Sequence, residues 1–346
     1  MVLTLALATI CLVAPPTMRV HCIDVRQASA ALFEFKCGAV LIDGGADSPE
    51  HASTVADYLD KFFQGRPDLH KTLKAVYLTH CHVDHTAGLP QVFSRFTVEH
   101  LVTNGPYAPK ASGARDMNKV FDYIKTHPTF VREVLDDEVA QKLPNGVTDA
   151  DIDPVSCADC DPQIRVLSGG LLSDPGWGNE YGKPRWKNEN NNSLVIRIDF
   201  KKSSVLVTGD LQDVAIKRLM TQYTGSKMLD TDVYFAGHHG ARNGTTKEFV
   251  KAISPRLAFV SCGHHDDGVG KQFTTWAYGH PNKDALDILQ AGIAQLRDQP
   301  IDTWAGIKAK TFTDKTYRVT KAVYCTAWDG NLVFQADATG KLKRVP

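Results

Sequence analysis

Three histidines and one aspartate lie within six consecutive positions of this chain, at His80, His82, Asp84 and His85. Neutral imidazole is the commonest metal ligand in proteins, and one carboxylate among imidazoles suits zinc, manganese or iron. His80 and His82 are two residues apart and would point the same way from an extended segment, whereas the later pair follows a turn of the chain. The spacing therefore predicts two adjacent pairs of ligands and, with them, two metal ions.

A strand and a helix must position these ligands. Residues 75–79 form a short apolar run that predicts a buried strand before the first histidine. After the last histidine, apolar residues recur at helical spacing, at Leu89, Val92, Phe93 and Phe96. The ligands are therefore expected on a strand-to-helix turn at the edge of a sheet. Core packing or solvation explains a lone histidine well, but not four candidate ligands in six positions.

The ligand run has the pattern H-x-H-x-D-H, which resembles the signature of the metallo-β-lactamase superfamily. Other segments resemble the ComEC type, named for the hydrolase domain of bacterial DNA-uptake proteins, and they follow in order along residues 18–340. These segments are 18–27, 40–45, 191–197, 205–211, 236–240, 278–281 and 324–334. Within the first of them, Arg26 replaces a usual glycine. The resemblance implies an α/β fold in which two mixed β-sheets lie back to back with helices outside, the αββα sandwich.

The resemblance also implies roles for residues beyond the histidine run. Asp210 would bridge the two metal ions, because the two oxygens of a carboxylate can reach separate ions. His238 would complete the ligands of the second ion, and His239 is the alternative ligand, which otherwise lines the pocket. The second set of ligands is then Asp84, His85, Asp210 and His238. Asp43 would hydrogen-bond a ligand imidazole or, equally well, serve as a turn residue before two glycines.

The first metal ion is expected to be the more weakly held. Most members of the superfamily supply a third histidine shortly before the bridging aspartate, where this chain has 191–193, Asn-Asn-Ser. The ligands that remain are His80, His82 and Asp210, with water or Asn192 filling the last position. An amide oxygen is a weak ligand, and fewer imidazoles make manganese as acceptable as zinc. We therefore expect two divalent ions, with zinc as the first choice and manganese as the alternative.

This metal set predicts a hydrolase that uses a hydroxide shared by two ions. The leading interpretation is a phosphodiesterase or nuclease-like enzyme acting on a small-molecule or nucleic-acid phosphodiester. Ester or lactone hydrolysis on the same metals is the second interpretation, and an inactive metal-stabilised binding module is the third. Asp84 would also orient the nucleophile, and His280 would protonate the leaving group or hold a phosphate. The missing third histidine argues against a β-lactamase, and His82 argues against a diiron enzyme, whose relatives carry glutamate there.

Length and charge leave the partners open. The chain has 346 residues, and its 39 Lys and Arg balance its 39 Asp and Glu, so bulk charge favours neither a nucleic acid nor a membrane. Residues 1–17 resemble a signal or targeting segment, although Pro15 and Pro16 make a poor cleavage site. Location therefore stays open between export and the cytoplasm. No other long apolar run occurs, so no stable membrane insertion of the mature domain is expected, and nothing indicates an oligomeric state.

The body of the chain, 18–346, is expected to be a single domain with an insertion at about 104–190. Strands are predicted near 19–24, 31–35, 38–43, 99–103, 194–199, 204–208, 232–236 and 257–261, and a helix over 52–63. A closing hairpin is predicted over 321–336, turning at an Asp-Gly pair.

The insertion is expected to lie over the metal ligands. It predicts helices near 116–125 and 130–142, and it carries Trp177 and Trp186, which could stack on a base or simply pack on the surface. Cys157 and Cys160 form the only close pair of cysteines. A local disulfide, pairing elsewhere and free thiols all remain open for them.

Overall fold

The computed structural model describes residues 16–180 and 182–345. Two mixed β-sheets pack face to face, and helices cover the outer face of each, which confirms the predicted α/β sandwich. Of the expected targeting segment, residues 1–15 lie outside the described residues. In the described ranges, no helix is both long enough and apolar enough to cross a membrane.

The first sheet has eight strands, numbered along the chain. They are β1 (Thr17–Cys22), β2 (Ala31–Phe35), β3 (Gly38–Ile42), β4 (Thr72–Tyr77), β5 (Thr97–Thr103), β6 (Phe130–Glu133), β19 (Leu332–Asp337) and β20 (Leu342–Val345). Their spatial order is β20-β19-β1-β2-β3-β4-β5-β6. The pairs from β3 to β6 are parallel and the others are antiparallel.

The second sheet has six strands. They are β7 (Gln163–Ser168), β10 (Val195–Phe200), β11 (Ser203–Val207), β12 (Val233–Phe235), β13 (Leu257–Val260) and β18 (Val323–Cys325), in the spatial order β18-β13-β12-β11-β10-β7. The four strands from β18 to β11 are parallel. Short two-stranded sheets pair β8 (Asn179–Glu180) with β9 (Lys183–Pro184), β14 (Leu296–Thr303) with β17 (Tyr317–Lys321), and β15 (Gly306–Lys308) with β16 (Thr311–Phe312).

Helices cover the outer faces of both sheets. The longer ones are α1 (Thr54–Gly65), α3 (Leu89–Arg95), α4 (Ala114–Ile124), α6 (Asp213–Gln222), α8 (Lys247–Ile253) and α10 (Lys283–Gly292). Short helical segments also occur along the chain: α2 (Val83–Thr86), α5 (Asp136–Gln141), α7 (Gly237–Gly240), α9 (Thr275–Tyr278) and α11 (Thr326–Asp329), of which α7 is a turn with two left-handed residues. The apolar faces of α1, α3 and α4 pack on the first sheet, and those of α6, α8 and α10 pack with the second.

The central strands are apolar on both faces because each lies between the other sheet and a layer of helices. In β3, Val40 and Ile42 join the core between the sheets, whereas Leu41 joins the core beneath the helices. This alternation follows from the two-residue period of a strand. Strands buried in this way are rigid, so the loops at their ends are held firmly.

The predicted hairpin over 321–336 is wrong. Strand β18 pairs in parallel with β13 in the second sheet, whereas β19 pairs antiparallel with β1 in the first. The chain crosses between the sheets through α11, where the buried guanidinium of Arg297 donates to Asp329 at 2.6 Å. Strand β18 thereby becomes the edge of the second sheet, whereas β19 pairs with β1 along six residues of the first.

The segment 104–190 is more closely joined to the body than a separate insertion would be. Its first predicted helix forms as α4, but the helix expected over 130–142 begins as strand β6 and becomes helical only in α5. Strand β6 extends the first sheet beside β5, and β7 extends the second beside β10. Pairing with an exposed sheet edge satisfies the backbone hydrogen bonds of β6 and so overrides its helical spacing.

A disulfide joins Cys37, in the turn between β2 and β3, to Cys157, while Cys160 stays buried as a free thiol. The bond closes a loop with a sequence separation of 120 residues. Long loops lose the most chain entropy in the unfolded state, so such a bond is expected to raise the free energy of unfolding by about 2–5 kcal/mol.

We therefore expect reductant to lower the urea midpoint of the metal-free chain. The double variant Cys37→Ala/Cys157→Ala should unfold at that lower midpoint with or without reductant, since it has no bond to break. A wild-type midpoint that is insensitive to reductant would contradict this pairing.

Candidate metal centre

The predicted ligands converge because they follow strands that end at one edge of the sandwich. Asp43 follows β3, the run from Thr79 to His85 follows β4, Asp210 follows β11, and His239 follows β12. Strand β3 is parallel to β4, and β11 is parallel to β12, so the carboxyl ends of each pair lie together. Packing of the two sheets then brings the two groups of loops into contact.

Four side chains form a compact group of potential metal ligands, in which every residue offers an atom within 4.8 Å of the others: Asp84, His85, Asp210 and His239. His85 Nε2 lies 3.2 Å from Asp210 Oδ1, and His239 Nε2 lies 3.2 Å from Asp84 Oδ2. Both Nε2 atoms are buried and, within the described part of the chain, neither is aligned for a hydrogen bond. Buried imidazole nitrogens without partners, facing two carboxylates, fit a divalent cation.

The other ring nitrogen of each histidine is held in place. His85 Nδ1 donates to Asp43 at 2.7 Å, and Thr79 donates its backbone N–H at 2.8 Å and its hydroxyl at 2.9 Å to the same carboxylate. His239 Nδ1 donates to the carbonyl oxygen of Ser261 at 2.8 Å. A proton on Nδ1 leaves Nε2 free to bind a cation, and such partners orient metal-binding histidines. Asp43 thus makes the imidazole contact that the sequence suggested.

A second pair of imidazoles lies beside this group. His80 Nε2 is 3.1 Å from His82 Nδ1 and 4.0 Å from Asp210 Oδ2. The hydroxyl of Ser193 is 3.3 Å from His80 Nδ1, and it accepts the backbone N–H of Asp210 at 3.1 Å. The carboxylate of Asp210 therefore lies among the imidazoles, with Oδ1 3.2 Å from His85 and with Oδ2 3.6 Å from His239, 3.8 Å from His238 and 4.0 Å from His80.

The structure does not bring Asn192 into the group. Its Oδ1 accepts the backbone N–H of Leu171 at 2.8 Å, and its Nδ2 donates to two backbone carbonyl oxygens. Both ends of the amide are therefore occupied. The neighbouring Asn190 lines the cavity instead, with Nδ2 3.3 Å from His238 Nε2.

Of the two adjacent histidines, His239 rather than His238 lies in the compact group. Nε2 of His238 is 3.8 Å from Asp210 Oδ2, and its Nδ1 bonds Asn243 Oδ1 at 2.8 Å. The side chain of His238 is 21% exposed, against 3% for His239. Both residues have positive φ, near 53° and 54°, so the chain turns sharply here and sends the two rings in different directions. The geometry favours His239 as the ligand, which the sequence ranked second.

His280 lines the cavity and is held through a chain of hydrogen bonds. The hydroxyl of Thr275 donates to Gln27 Oε1 at 2.9 Å, so Gln27 Nε2 is the donor to His280 Nδ1 at 3.0 Å. That assignment puts the ring proton of His280 on Nε2. Burial, with the nearby imidazoles of His238 and His239, lowers the pKa of His280 well below the usual histidine value. A neutral ring with its proton on Nε2 is a hydrogen-bond donor, which suits the second of the two roles expected from the sequence, holding a phosphate.

The two halves of the cluster, His85 and His239 on one side and His80 and His82 on the other, differ in the direction of their pKa shifts. Burial opposes charge on His85 and His239, but Asp210 and the other neighbouring carboxylates raise the pKa of both histidines. Burial lowers the pKa of His80 and His82, and for His80 the neighbouring imidazoles lower it further. The pKa of Asp210 lies well below its usual range despite burial, because His239 and His85 stabilise the anion.

This difference predicts that the two halves respond differently to pH. Below their raised pKa values, His85 and His239 carry protons that a metal must displace, so affinity at that half falls as pH falls. His80 and His82 are neutral near pH 7 and release none. Calorimetry of zinc binding in buffers of different ionisation enthalpy should find more protons released in one binding step than in the other. Equal proton release in both steps would contradict the assignment.

A second group of potential ligands lies on the loop after β13, where His264, His265 and Asp266 bring ligand atoms within 4.8 Å. This group is more exposed than the first, and it was not anticipated from the sequence. The metal titrations described above should therefore use a His264→Ala/His265→Ala background, so that binding at this loop is not counted.

A cavity of about 870 Å³ opens above the cluster, and His82, Asp84, Asp210 and His239 all face it. Its lining includes the aromatic rings of Phe273 and Tyr278, three lysines and the carboxylates of Asp47, Glu180 and Glu189. Trp177 and Trp186, which the sequence offered as stacking candidates, do not line this cavity. The cavity can therefore hold a ligand that combines negative charge with an aromatic group.

Several residues that position the site were missed from the sequence: Gln27, Asn190, Ser193, Asn243 and Ser261. Most of them act through hydrogen bonds between segments far apart in the chain, such as Gln27 with His280, whereas Asn243 bonds the nearby His238. Asn and Gln are common on surfaces and carry no spacing signal. Only the fact that Gln27 and Ser193 lie within the recognised segments 18–27 and 191–197 could have drawn attention to them.

The family model described as the metallo-beta-lactamase superfamily matches residues 23–264. ComE operon protein 3 of Bacillus subtilis (strain 168) is 28% identical over 221 residues, which cover 64% of this chain and 22% of that protein. Competence protein ComA of Neisseria gonorrhoeae is 32% identical over 110 residues, which cover 32% of this chain and 14% of that protein. The match thus spans about a fifth or less of these curated relatives.

Among solved structures, the metallo-beta-lactamase fold protein YhfI from Bacillus subtilis is similar with a TM-score of 0.38 and 16% identity. The alignment covers 71% of this chain and 86% of that one. A likeness this distant has no bearing on the substrate.

Proposed function

We propose, since this chain belongs to the metallo-β-lactamase superfamily, that it is a hydrolase that uses two divalent metal ions to cleave phosphodiesters. The observation that carries the proposal is the position of Asp210. Its Oδ1 lies 3.2 Å from His85, while its Oδ2 lies 4.0 Å from His80 and 3.6 Å from His239. A carboxylate with imidazoles on both sides can serve two ions at once.

On this proposal, one ion is held by Asp84, His85 and His239 and the other by His80 and His82, with Asp210 between them. Zinc is the first choice because imidazoles dominate the set, and manganese is the alternative because carboxylate oxygens contribute. When bound, two such ions lower the pKa of water toward neutrality and stabilise developing negative charge.

Two lysines of the cavity favour a phosphodiester over a neutral ester or lactone, although the carboxylates of Asp47, Glu180 and Glu189 share its lining. Lys110 and Lys183 line the cavity, and in the described ranges neither forms a salt bridge with a carboxylate. A phosphodiester keeps its negative charge when bound and benefits from such cations, whereas a lactone does not. We assign these lysines to the non-bridging phosphate oxygens, and Asp84 to the orientation of the attacking water.

The proposal is tested with the full chain loaded with zinc or with manganese. We expect turnover of bis-p-nitrophenyl phosphate and of single-stranded DNA, and no turnover of a lactone panel. The double variant Lys110→Ala/Lys183→Ala should raise KM for bis-p-nitrophenyl phosphate by about tenfold, since two charge-assisted hydrogen bonds are lost. Lactone turnover without phosphodiester turnover would show instead that the chain is an ester or lactone hydrolase. Metal binding without any turnover would establish a binding module.

His280→Ala is expected to lower kcat by about 10²-fold, which is the usual cost of removing one hydrogen-bond donor from a charged transition state. Because the ring is neutral, the loss should be equal for a p-nitrophenolate and for a nucleotide leaving group. The measurement is kcat on bis-p-nitrophenyl phosphate and on a thymidine dinucleotide. A loss confined to the dinucleotide would restore the proton-donor role that the sequence suggested.

A further inference from the structure

We propose that Phe273 and Tyr278 form a stacking subsite for a nucleobase, so that the preferred substrate is a nucleoside phosphodiester; this inference rests on the proposed function. The subsite lies in the same cavity as the metal ligands. It would bind the ring attached to the phosphate that is cleaved.

The first observation is the exposure of these two rings. Among the described residues, the aromatic side chains with large exposed surfaces are Phe130, Phe273 and Tyr278, at 53%, 53% and 42%. Two of the three face a single cavity. Exposed aromatic area is unfavourable in water, and stacking on a flat ligand would bury it.

The second observation is a row of rings that leads away from the metal cluster. The ring of His280 lies nearly parallel to that of His239, with centroids 6.1 Å apart and planes at 22°. The ring of Tyr278 lies parallel to His280 in turn, at 5.4 Å and 22°. Tyr278 is therefore the outermost member of the row, and its outer face is where a base could continue the stack.

The third observation concerns the backbone of Phe273. Its φ is +59°, a left-handed conformation that costs about 1–2 kcal/mol in a residue with a Cβ. His238 and His239 at the metal cluster share this conformation, as do exposed turn residues such as His70 and Lys201. The ring of Phe273 lies 6.5 Å from that of Tyr278, with the planes at 64°. Phe273 would therefore meet a base edge-on while Tyr278 stacks on its face.

The lysines of the cavity complete the chemical description. Lys110 and Lys183 suit phosphate oxygens, and the two aromatic rings suit a flat, uncharged ring system. Inorganic diphosphate would use the lysines alone, and a neutral aromatic ester would use the rings alone. A nucleoside phosphodiester uses both.

The test compares two substrates of equal charge and equal leaving group on the metal-loaded full chain. These are thymidine 5′-(p-nitrophenyl phosphate) and methyl p-nitrophenyl phosphate. Stacking of one base on an aromatic side chain corresponds to about 5- to 100-fold in affinity. Phe273→Ala and Tyr278→Ala should therefore raise KM for the thymidine ester by that factor and leave kcat/KM for the methyl ester within about twofold.

Phe130→Ala is the matched control, since Phe130 is equally exposed but lies on the edge strand β6, away from the cavity. This variant should leave KM and kcat/KM unchanged for both the thymidine ester and the methyl ester. Phe273→Trp should keep the low KM for the thymidine ester, which a merely structural role for Phe273 would not predict. Equal losses on the thymidine and methyl esters would overturn the stacking subsite.

Equilibrium binding separates this inference from the proposed function. A dithymidine phosphorothioate should bind the wild-type chain more tightly than the Phe273→Ala variant by the same factor. If the dinucleotide binds in this Phe273-dependent manner but is never hydrolysed, the subsite stands and the proposed hydrolysis fails. If Phe273→Ala leaves dinucleotide binding unchanged, the subsite is overturned whether or not hydrolysis occurs.

Discussion

Replacement of Asp210 by alanine is expected to remove both metal ions and to lower the rate of phosphodiester hydrolysis by more than about 10³-fold. The reason is that Asp210 is the side chain shared by the two groups of imidazoles, with His85 on one side and His80 on the other. Loss of its charge leaves four neighbouring imidazoles without the anion that offsets bound cations. Metal content after dialysis and kcat/KM on bis-p-nitrophenyl phosphate are the measurements.

Two further variants test whether the charge of Asp210 is responsible for these losses. Asp210→Asn keeps the shape of the side chain, so the same losses in that variant would show that the charge is responsible. Asp230→Asn changes an exposed aspartate outside the site and should keep both ions and full activity. Asp210→Ala protein that retains both ions would show that the carboxylate does not bridge.

The second large effect is expected from a choice between adjacent residues. His239→Ala should lose one metal ion, with an affinity at least about 10²-fold weaker, whereas His238→Ala should keep two ions. His239 is buried in the compact group and held by Ser261, whereas His238 is partly exposed and bonds Asn243 and Asn190. The sequence motif by itself predicted the opposite, with His238 as the ligand and His239 as the alternative.

The comparison is internally controlled, because the two variants remove the same side chain from neighbouring positions of one turn. Zinc titration followed by metal analysis gives the stoichiometry of each. A lost ion in His238→Ala, with two ions retained in His239→Ala, would return the ligand role to His238.

The sequence by itself determined the fold and the centre of the site. The six-residue run from His80 to His85 lies on one short segment, so its spacing alone predicts that the ligands lie together. Asp43 and Asp210 each end an apolar strand, and strand ends could be located from composition. Information of this kind is local, so it does not depend on how the rest of the chain folds.

Choices between local alternatives were left to the tertiary structure. Val323–Cys325 and Leu332–Asp337 have the pattern of a hairpin, yet each pairs with a strand in a different sheet. Similarly, Cys157 could pair with Cys160 or with a distant cysteine, and the packing of the loop against the turn at Cys37 selects the distant one. A hairpin and a local disulfide were each compatible with the sequence, but long-range contacts selected other pairings.

The details of the site were decided in the same way. Which of His238 and His239 faces the cluster depends on two left-handed backbone conformations, and a change of one residue in such a turn redirects the side chain. Whether Asn192 reaches a metal depends on backbone groups that occupy its amide. Sequence spacing therefore determined which segments meet at the site, whereas the torsion angles and hydrogen bonds imposed by the packed sheets determined which atoms of those segments face the cavity.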